Sequence, residues 1–189
     1  MKKSIKIPLI IIFIILVGLG SYLITKSLVK NYITKNNTIE NISLKDFTDR
    51  FNKNLEKENF DTKLNIGENI ADNNKTYWIS LEEDIDIAIM MDKVTNNKNK
   101  DIVRISGISY KNDYENTDKI KQYLEILIKS NNPKLTEKDI NMMIKNANDT
   151  KDAVTKNNNT TTANFDYKGL SIDKNIGEEN TIYRIARYN

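Results

Sequence analysis

The chain contains no cysteine and no histidine, and its 189 residues include only two prolines, six glycines and one tryptophan. Without cysteine the protein cannot form disulfides, use a thiol nucleophile, build a zinc–thiolate site or carry a lipid on a lipoprotein cysteine. Without histidine it lacks the commonest general base and the commonest ligand of transition metals. Carboxylates, lysines, tyrosines and hydroxyl groups remain for chemistry, and the sequence predicts no cofactor and no metal site.

Other signatures of catalysis are also missing from the sequence. It has no glycine-rich phosphate loop, no nucleophile elbow and no cluster of metal ligands. One acidic run comprises Glu82, Glu83, Asp84 and Asp86. It has neither the ligand spacing nor the glycine turn of a calcium loop. We therefore interpret it as a solvated strand face.

Positive charge is concentrated at the amino terminus. Residues 1–35 contain no acid and six of the 29 basic side chains: Lys2, Lys3, Lys6, Lys26, Lys30 and Lys35. The remaining residues therefore hold 23 basic and 26 acidic side chains, a net charge of −3. A nucleic-acid-binding protein would place a basic stripe on its folded domain. The mild acidity of residues 36–189 predicts no nucleic-acid partner.

The segment "IPLIIIFIILVGLGSYLIT", residues 7–25, is the only long uncharged run. As a helix it would span roughly 28 Å, close to the thickness of the bilayer's hydrocarbon core. A cleaved signal peptide is the alternative, with a cut before Ser21. The apolar run continues past that position through residues 22–24, which favours an uncleaved transmembrane helix.

The lengths of the two flanks predict the orientation of this helix. Only residues 1–6 precede it, whereas a long chain follows, and long domains are translocated largely regardless of their charge. We therefore expect a single-pass protein of the cell membrane with residues 1–6 in the cytoplasm. A stalk, residues 26–41, would connect the helix to an extracytoplasmic domain, residues 42–189.

Apolar periodicity predicts an α+β fold for that domain. A helical period of 3.6 occurs in "SLKDFTDRFNKNLEKENF", "TDKIKQYLEILIKSN" and "NPKLTEKDINMMIKNAN". Strand-like patterns occur in "TKLNI", "KTYWISLEE", "DIDIAIMMD", "DIVRISGISY", "ANFDYKGLSIDK" and "TIYRIARYN". The expected order is α-β-β-β-α-α-β-β, an antiparallel sheet of about five strands with about three helices on one face. Residues 155–162 are expected to form a polar loop.

Strict alternation assigns the faces of the middle strands. Ile85, Ile87, Ile89 and Met91 fall on one side, and Asp84, Asp86, Ala88 and Met90 fall on the other. The same reasoning predicts that Val103, Ile105 and Gly107 share a face. One face of the sheet is therefore expected to be wet.

The sequence resembles an extracytoplasmic α+β domain of small lipoproteins and membrane-anchored proteins from low-GC Gram-positive bacteria. Three segments carry the resemblance: the opening "DFTDRFN", then "LEILIKSNNPKLTEKDINMMI", and then "FDYKGLSIDKN". The resemblance spans roughly residues 43–189. It implies the fold and the extracytoplasmic location, and it assigns no active site. Because the chain lacks the lipobox cysteine of the lipoproteins, the uncleaved helix would replace the lipid anchor.

Three residues are candidates for binding a partner. Trp78 is the only tryptophan, and tryptophan is enriched at interface hot spots. Since Tyr77 precedes it in a strand, one of the two must face the core. Arg184 and Arg187, in "YRIARY", could bind an anionic group, with solubility of a strand edge as the alternative.

The sequence predicts a non-enzymatic, membrane-tethered domain that binds an envelope protein or a cell-wall component at the bacterial surface. One alternative is a cell-envelope enzyme that uses two carboxylates in a concave pocket. Another is an accessory or immunity subunit of a membrane complex, which a broad exposed apolar patch would favour.

Overall fold

The computed structural model describes residues 40–66, 76–93 and 101–188. The predicted membrane span, residues 7–25, and nearly all of the predicted stalk lie outside these residues. Within the described ranges, no helix is long and apolar enough to cross a bilayer.

The described residues form an α+β domain, as the sequence predicts. The three helices are α1 (Leu44–Lys57), α2 (Thr117–Asn131) and α3 (Glu137–Ala147). The eight strands are β1 (Thr76–Glu82), β2 (Ile85–Lys93), β3 (Asp101–Lys111), β4 (Val154–Lys156), β5 (Asn159–Thr161), β6 (Phe165–Tyr167), β7 (Leu170–Ile176) and β8 (Asn180–Arg187). The helical segments are confirmed, but the sheet has eight strands instead of about five.

Side chains that accept hydrogen bonds from free backbone amides set the starts of the helices. Ser43 caps α1 by accepting from the amide of Asp46 at 3.1 Å. Thr136 and Asp139 form a complete capping box at the start of α3. The cap of α2 is Asn116, whose side chain accepts from the amide of Lys119 at 3.0 Å.

All strands pair antiparallel in the order β1-β2-β3-β8-β7-β5-β4, and β6 also pairs with β7. Residues 155–162, predicted as a loop, contain most of the β4–β5 hairpin. The two turn residues Asn157 and Asn158 have φ angles of 51° and 61°, which suit a tight primed turn. The predicted strand "TKLNI", residues 62–66, is not part of the sheet.

A β-bulge changes the predicted faces of β3. The pairing of β2 with β3 shifts register between Met90 and Met91, so β3 contains an extra residue there. Val103 consequently lies in the core, whereas Ile105 and Gly107 lie on the opposite face of the sheet. The prediction that these three residues share a face was wrong because a bulge is invisible to simple alternation.

The helices pack on one face of the sheet, which we call the covered face. Its apolar strand residues without accessible surface are Ile85, Ile87, Ile89, Val103, Ile108, Leu170, Ile172 and Ile185. They join one core with α1 through Phe47 and Phe51 and with α2 through Tyr123 and Leu127. No described element packs over the opposite face, which we call the exposed face.

Candidate functional site

The exposed face carries a row of five residues that crosses five strands. Successive pairings join Trp78 to Ala88, Ala88 to Gly107, Gly107 to Arg184, and Arg184 to Asp173. Neighbouring strands lie about 4.8 Å apart. Trp78 and Arg184, three strand spacings apart, are therefore about 14 Å apart along the row. We call this set the Trp78 row.

Trp78 lies at the β1 end of the row and is half exposed. Its side chain retains 50% of its accessible surface, whereas Tyr77 retains only 8% and packs in the core. The expectation that one of the pair faces the core is confirmed. Strand geometry requires this result, since successive side chains point to opposite faces.

More apolar surface surrounds Trp78 on the same face. Met90 is 41% exposed, and Ala88, Ile105, Ile182 and Ala186 are half-buried. Together with Trp78 they provide the contiguous apolar surface that characterises the centre of a protein–protein interface.

The exposed face is depressed in the middle of the row, because Ala88 and Gly107 have small side chains or none. A β-carbon on Gly107 would lie 2.8 Å from the backbone oxygen of Tyr183, closer than real β-carbons approach. The close approach of β3 to β8 thus requires glycine at this position. Ala88 and Gly107 leave a shallow furrow between Trp78 and Arg184.

An ion pair forms the other end of the row. Arg184 donates from Nε to Asp173 Oδ1 at 2.9 Å and from Nη2 to Asp173 Oδ2 at 3.2 Å. The side chain of Asp173 is 11% exposed, and that of Arg184 is 51% exposed. The pair fixes the guanidinium plane, so its remaining N–H groups can donate to a planar acceptor on a partner.

The structure separates the two predicted arginines. Arg184 and Arg187 are three positions apart on β8, an odd spacing that sends them to opposite faces. Arg187 lies on the covered side, is 7% exposed, and donates to the backbone oxygens of Asn131 and Glu40. Since β8 lies between β3 and β7, the strand-edge interpretation of these arginines was wrong.

The acidic run has structural contacts. Glu82 accepts from Lys119 and from the Tyr123 hydroxyl, and burial raises the pKa of that phenol. Asp84 occupies the β1–β2 turn with φ 65° and pairs with Lys111. Among the described residues, no group of three acidic side chains is arranged to hold a metal ion.

A cleft of about 350 Å³ lies among the three helices, away from the exposed face. Charged side chains of both signs line it, namely Lys57, Glu58, Glu125, Lys129 and Glu137. An enzyme that uses two carboxylates needs acidic side chains around a concave space. The three glutamates of this cleft lie around such a space.

Sequence reasoning identified two of the five residues of the Trp78 row. Alternation in β2 also predicted that Ala88 and Met90 lie on the solvent-exposed face. It could not predict their neighbours on β1 and β3. No local signal identifies Asp173, because only the pairing of β7 with β8 brings it to Arg184.

Comparison of the chain with protein-family models, with curated proteins and with solved structures finds no significant match. The resemblance to the extracytoplasmic domain of Gram-positive bacteria stays a prediction.

Proposed function

We propose that this protein is a non-enzymatic binding module that docks a partner protein on the exposed face of its sheet, at the Trp78 row. The observation that carries the proposal is the alignment of half-exposed Trp78 and the Arg184–Asp173 pair across a furrow of small residues. Tryptophan and arginine dominate interface hot spots. A binding surface of this kind places both types where a single partner can contact them.

The apolar content of the face favours a protein over a cell-wall glycan as the partner. Met90, Ile105 and Ile182 lie in the rows on either side of Trp78. Aliphatic side chains are suited to bury a partner's apolar side chains, since each buried CH₂ contributes about 0.8 kcal/mol. A hydroxyl-rich glycan has no aliphatic side chains to bury against them.

We further propose that residues 7–25 anchor this module in the cell membrane and that the domain acts outside the cytoplasm. The apolar segment and the long flank behind it support this location. A tethered domain meets membrane or envelope proteins at high effective concentration. The module would thereby serve as an envelope interaction domain or an accessory subunit.

Affinity purification of the tagged full-length chain from envelopes, solubilised in neutral detergent, tests the proposal. Trp78→Ala and Arg184→Ala are compared with Val154→Ala, whose side chain is 68% exposed on β4, away from the Trp78 row. We expect a protein that co-purifies with the wild type and with Val154→Ala and is lost from both row variants. Equal recovery from all four chains, or recovery of wall fragments alone, would sink the proposal.

The helical cleft supports a second candidate, a cell-envelope enzyme that uses two carboxylates. Glu58, Glu125 and Glu137 all line that concave space. Envelope extracts treated with the full chain and with Glu58→Gln or Glu125→Gln test this candidate. Cleavage of wall material that either variant abolishes would support it, and indistinguishable extracts would exclude it.

A further inference from the structure

The chain uses arginine sparingly, and three of its four arginines lie in one corner of the domain. Of the 29 basic side chains, only Arg50, Arg104, Arg184 and Arg187 are arginines. Arg184 belongs to the Trp78 row. The other three lie where α1, β3 and β8 meet, and we call them the arginine corner.

Pairings of the backbone establish this corner. The residue before α1, Ser43, forms an isolated bridge with Ile102, and the amide of Val103 donates to the oxygen of Ile42 at 3.0 Å. The start of α1 therefore lies against β3, next to Arg104. Arg50 lies on the second turn of this helix.

The pairing of β3 with β8 brings Arg187 to the same place. The final paired positions are Ile105 and Ala186. Arg104 and Arg187 are the next residues beyond that pair on their two strands. Arg104 is the extra residue of the β3 bulge and is not itself paired, but it lies one residue from the last paired position, at the same end of the two strands as Arg187.

Arg187 is the buried member of the corner. Its two terminal nitrogens donate to the backbone oxygens of Asn131 and Glu40. A guanidinium has five N–H groups, so these contacts leave three for another acceptor. Neither contact is with a carboxylate, so the positive charge of Arg187 has no counter-ion in these hydrogen bonds.

Electrostatics agree with this geometry. Burial, together with repulsion by Arg50 and Arg104, lowers the pKa of the Arg187 guanidinium to about 10. A shift in this direction means that the surroundings disfavour the positive charge. An anion bound among the three guanidinium groups would remove that penalty.

Hydrogen bonding in the corner is also incomplete. Asn131 is 1% exposed, and its amide nitrogen donates to Ser106 and to the oxygen of Leu127. Its amide oxygen Oδ1 is the buried side-chain atom without a partner among the described residues. Buried acceptors normally have a donor, so Asn131 Oδ1 can accept a hydrogen bond from one more hydroxyl group or water molecule.

We infer that the arginine corner is a binding site for a phosphate group. Phosphate matches the planar fork of arginine and accepts several charge-assisted hydrogen bonds at once. The site is independent of the Trp78 row, because Arg187 projects from the covered side of the sheet.

The alternative is that Arg187 only clamps the segment at Glu40 to the end of α2. Arg50 distinguishes the two accounts. Its side chain is exposed, and no hydrogen bond or ion pair involves it among the described residues. Arg50→Ala therefore leaves the clamp intact and removes one of the three charges.

Calorimetric titration of the full chain in neutral detergent with inorganic phosphate, at constant ionic strength set by chloride, tests the inference. We expect Arg50→Ala to weaken phosphate binding about tenfold, as the loss of one charge-assisted hydrogen bond implies. Lys156→Ala removes one positive charge from exposed β4, at the far edge of the sheet, and should leave the affinity unchanged. Equal loss in both variants, or no phosphate binding by any chain, overturns the inference.

A second titration identifies the source of the phosphate. Monomeric dihexanoyl phosphatidylglycerol is compared with dihexanoyl phosphatidylcholine, whose headgroup is neutral overall. Binding of the glycerol lipid in preference to free phosphate, sensitive to Arg50→Ala, assigns the site to an anionic lipid headgroup. Binding of free phosphate alone assigns it to a soluble or wall-borne phosphate, and binding of neither lipid nor phosphate refutes it.

Discussion

The two faces of the sheet share the same strands and differ in almost every other respect. In β2, Ile85, Ile87 and Ile89 retain no accessible surface. Their neighbour Met90, on the exposed face, retains 41%, and Asp86 is also exposed. Because successive side chains point to opposite faces, the residues of the covered face stabilise the fold. Those of the exposed face remain accessible to a partner.

Polar groups differ between the faces as well. On the covered side, Tyr183 is buried and donates to Asn148 Oδ1 at 2.6 Å, and burial raises its pKa. On the exposed side, half of the Arg184 side chain is in contact with solvent. The Tyr183 hydroxyl is thus bonded within the protein, whereas Arg184 keeps donors available for a partner.

The largest test of this contrast compares adjacent residues of β2. Ile89→Ala should lower the free energy of unfolding by about 2–5 kcal/mol, because it opens a cavity in the core. Met90→Ala should cost less than about 1 kcal/mol, since the side chain is already partly hydrated. Urea unfolding followed by circular dichroism measures both, and equal costs would contradict the assignment of the faces.

A smaller effect is expected at the floor of the Trp78 row. Gly107→Ala should destabilise the protein by about 1–3 kcal/mol, because the added methyl group meets the backbone oxygen of Tyr183. Ala88→Gly, the control in the same row, should cost only about 0.5–1 kcal/mol through backbone entropy. A neutral or stabilising Gly107→Ala would show that β3 and β8 can separate freely.

Next in size is an ion pair that joins α3 to the β6–β7 turn. Asp139 accepts from Tyr167 at 2.8 Å and from Lys168 at 2.9 Å. The backbone amide of Thr136, followed by Lys168, holds the pKa of this carboxyl well below its ordinary value. The contribution of ionised Asp139 to folding stability is therefore fully present above about pH 3.9, the pKa of an aspartate in the unfolded chain. It is lost as the pH falls below that value.

Asp139→Asn should accordingly cost about 1 kcal/mol at pH 7, the usual value of a helix cap. It should also flatten the decline in stability below pH 4. Thermal unfolding between pH 2 and pH 7 measures both effects, with Asp118→Asn in the first turn of α2 as the control. An unchanged acid profile in Asp139→Asn would show that another carboxyl controls acid unfolding.

The smallest expected effect concerns the exposed ion pair. Arg184→Lys, which keeps a positive partner for the largely buried Asp173, should lower the free energy of unfolding by no more than about 1 kcal/mol. Urea unfolding at low and high salt checks this value. A cost of several kcal/mol would mean that Arg184 is needed for folding stability. It would contradict the claim that residues of the exposed face contribute little to that stability.

Local pattern predicted the parts of the fold that depend on neighbours in sequence. Helix α1 follows from the spacing of Phe47, Phe51 and Leu55, and α3 follows from the capping pair of Thr136 and Asp139. The alternation of β2 and the opposed directions of Tyr77 and Trp78 were equally accessible. These features need only the periods of a helix and a strand.

Features that depend on distant residues could not be predicted. The bulge in β3 arises from its fit to β2, and the β4–β5 hairpin is too short and polar to show strand periodicity. The Trp78 row requires the register of β1, β2, β3, β8 and β7 at once. Arg187 on the covered side was within reach of alternation, but its contacts with Asn131 and Glu40 were not.

Site-specific photo-crosslinking in intact envelopes tests the central claim most directly. A photoreactive phenylalanine analogue replaces Trp78, Met90 or Gln122, one at a time, in the full-length chain. Gln122 is an exposed residue of α2 that lines the helical cleft. We predict that irradiation links the same protein to positions 78 and 90 and none to position 122. Adducts at position 122 alone, or equal adducts at all three positions, would contradict a binding surface on the exposed face.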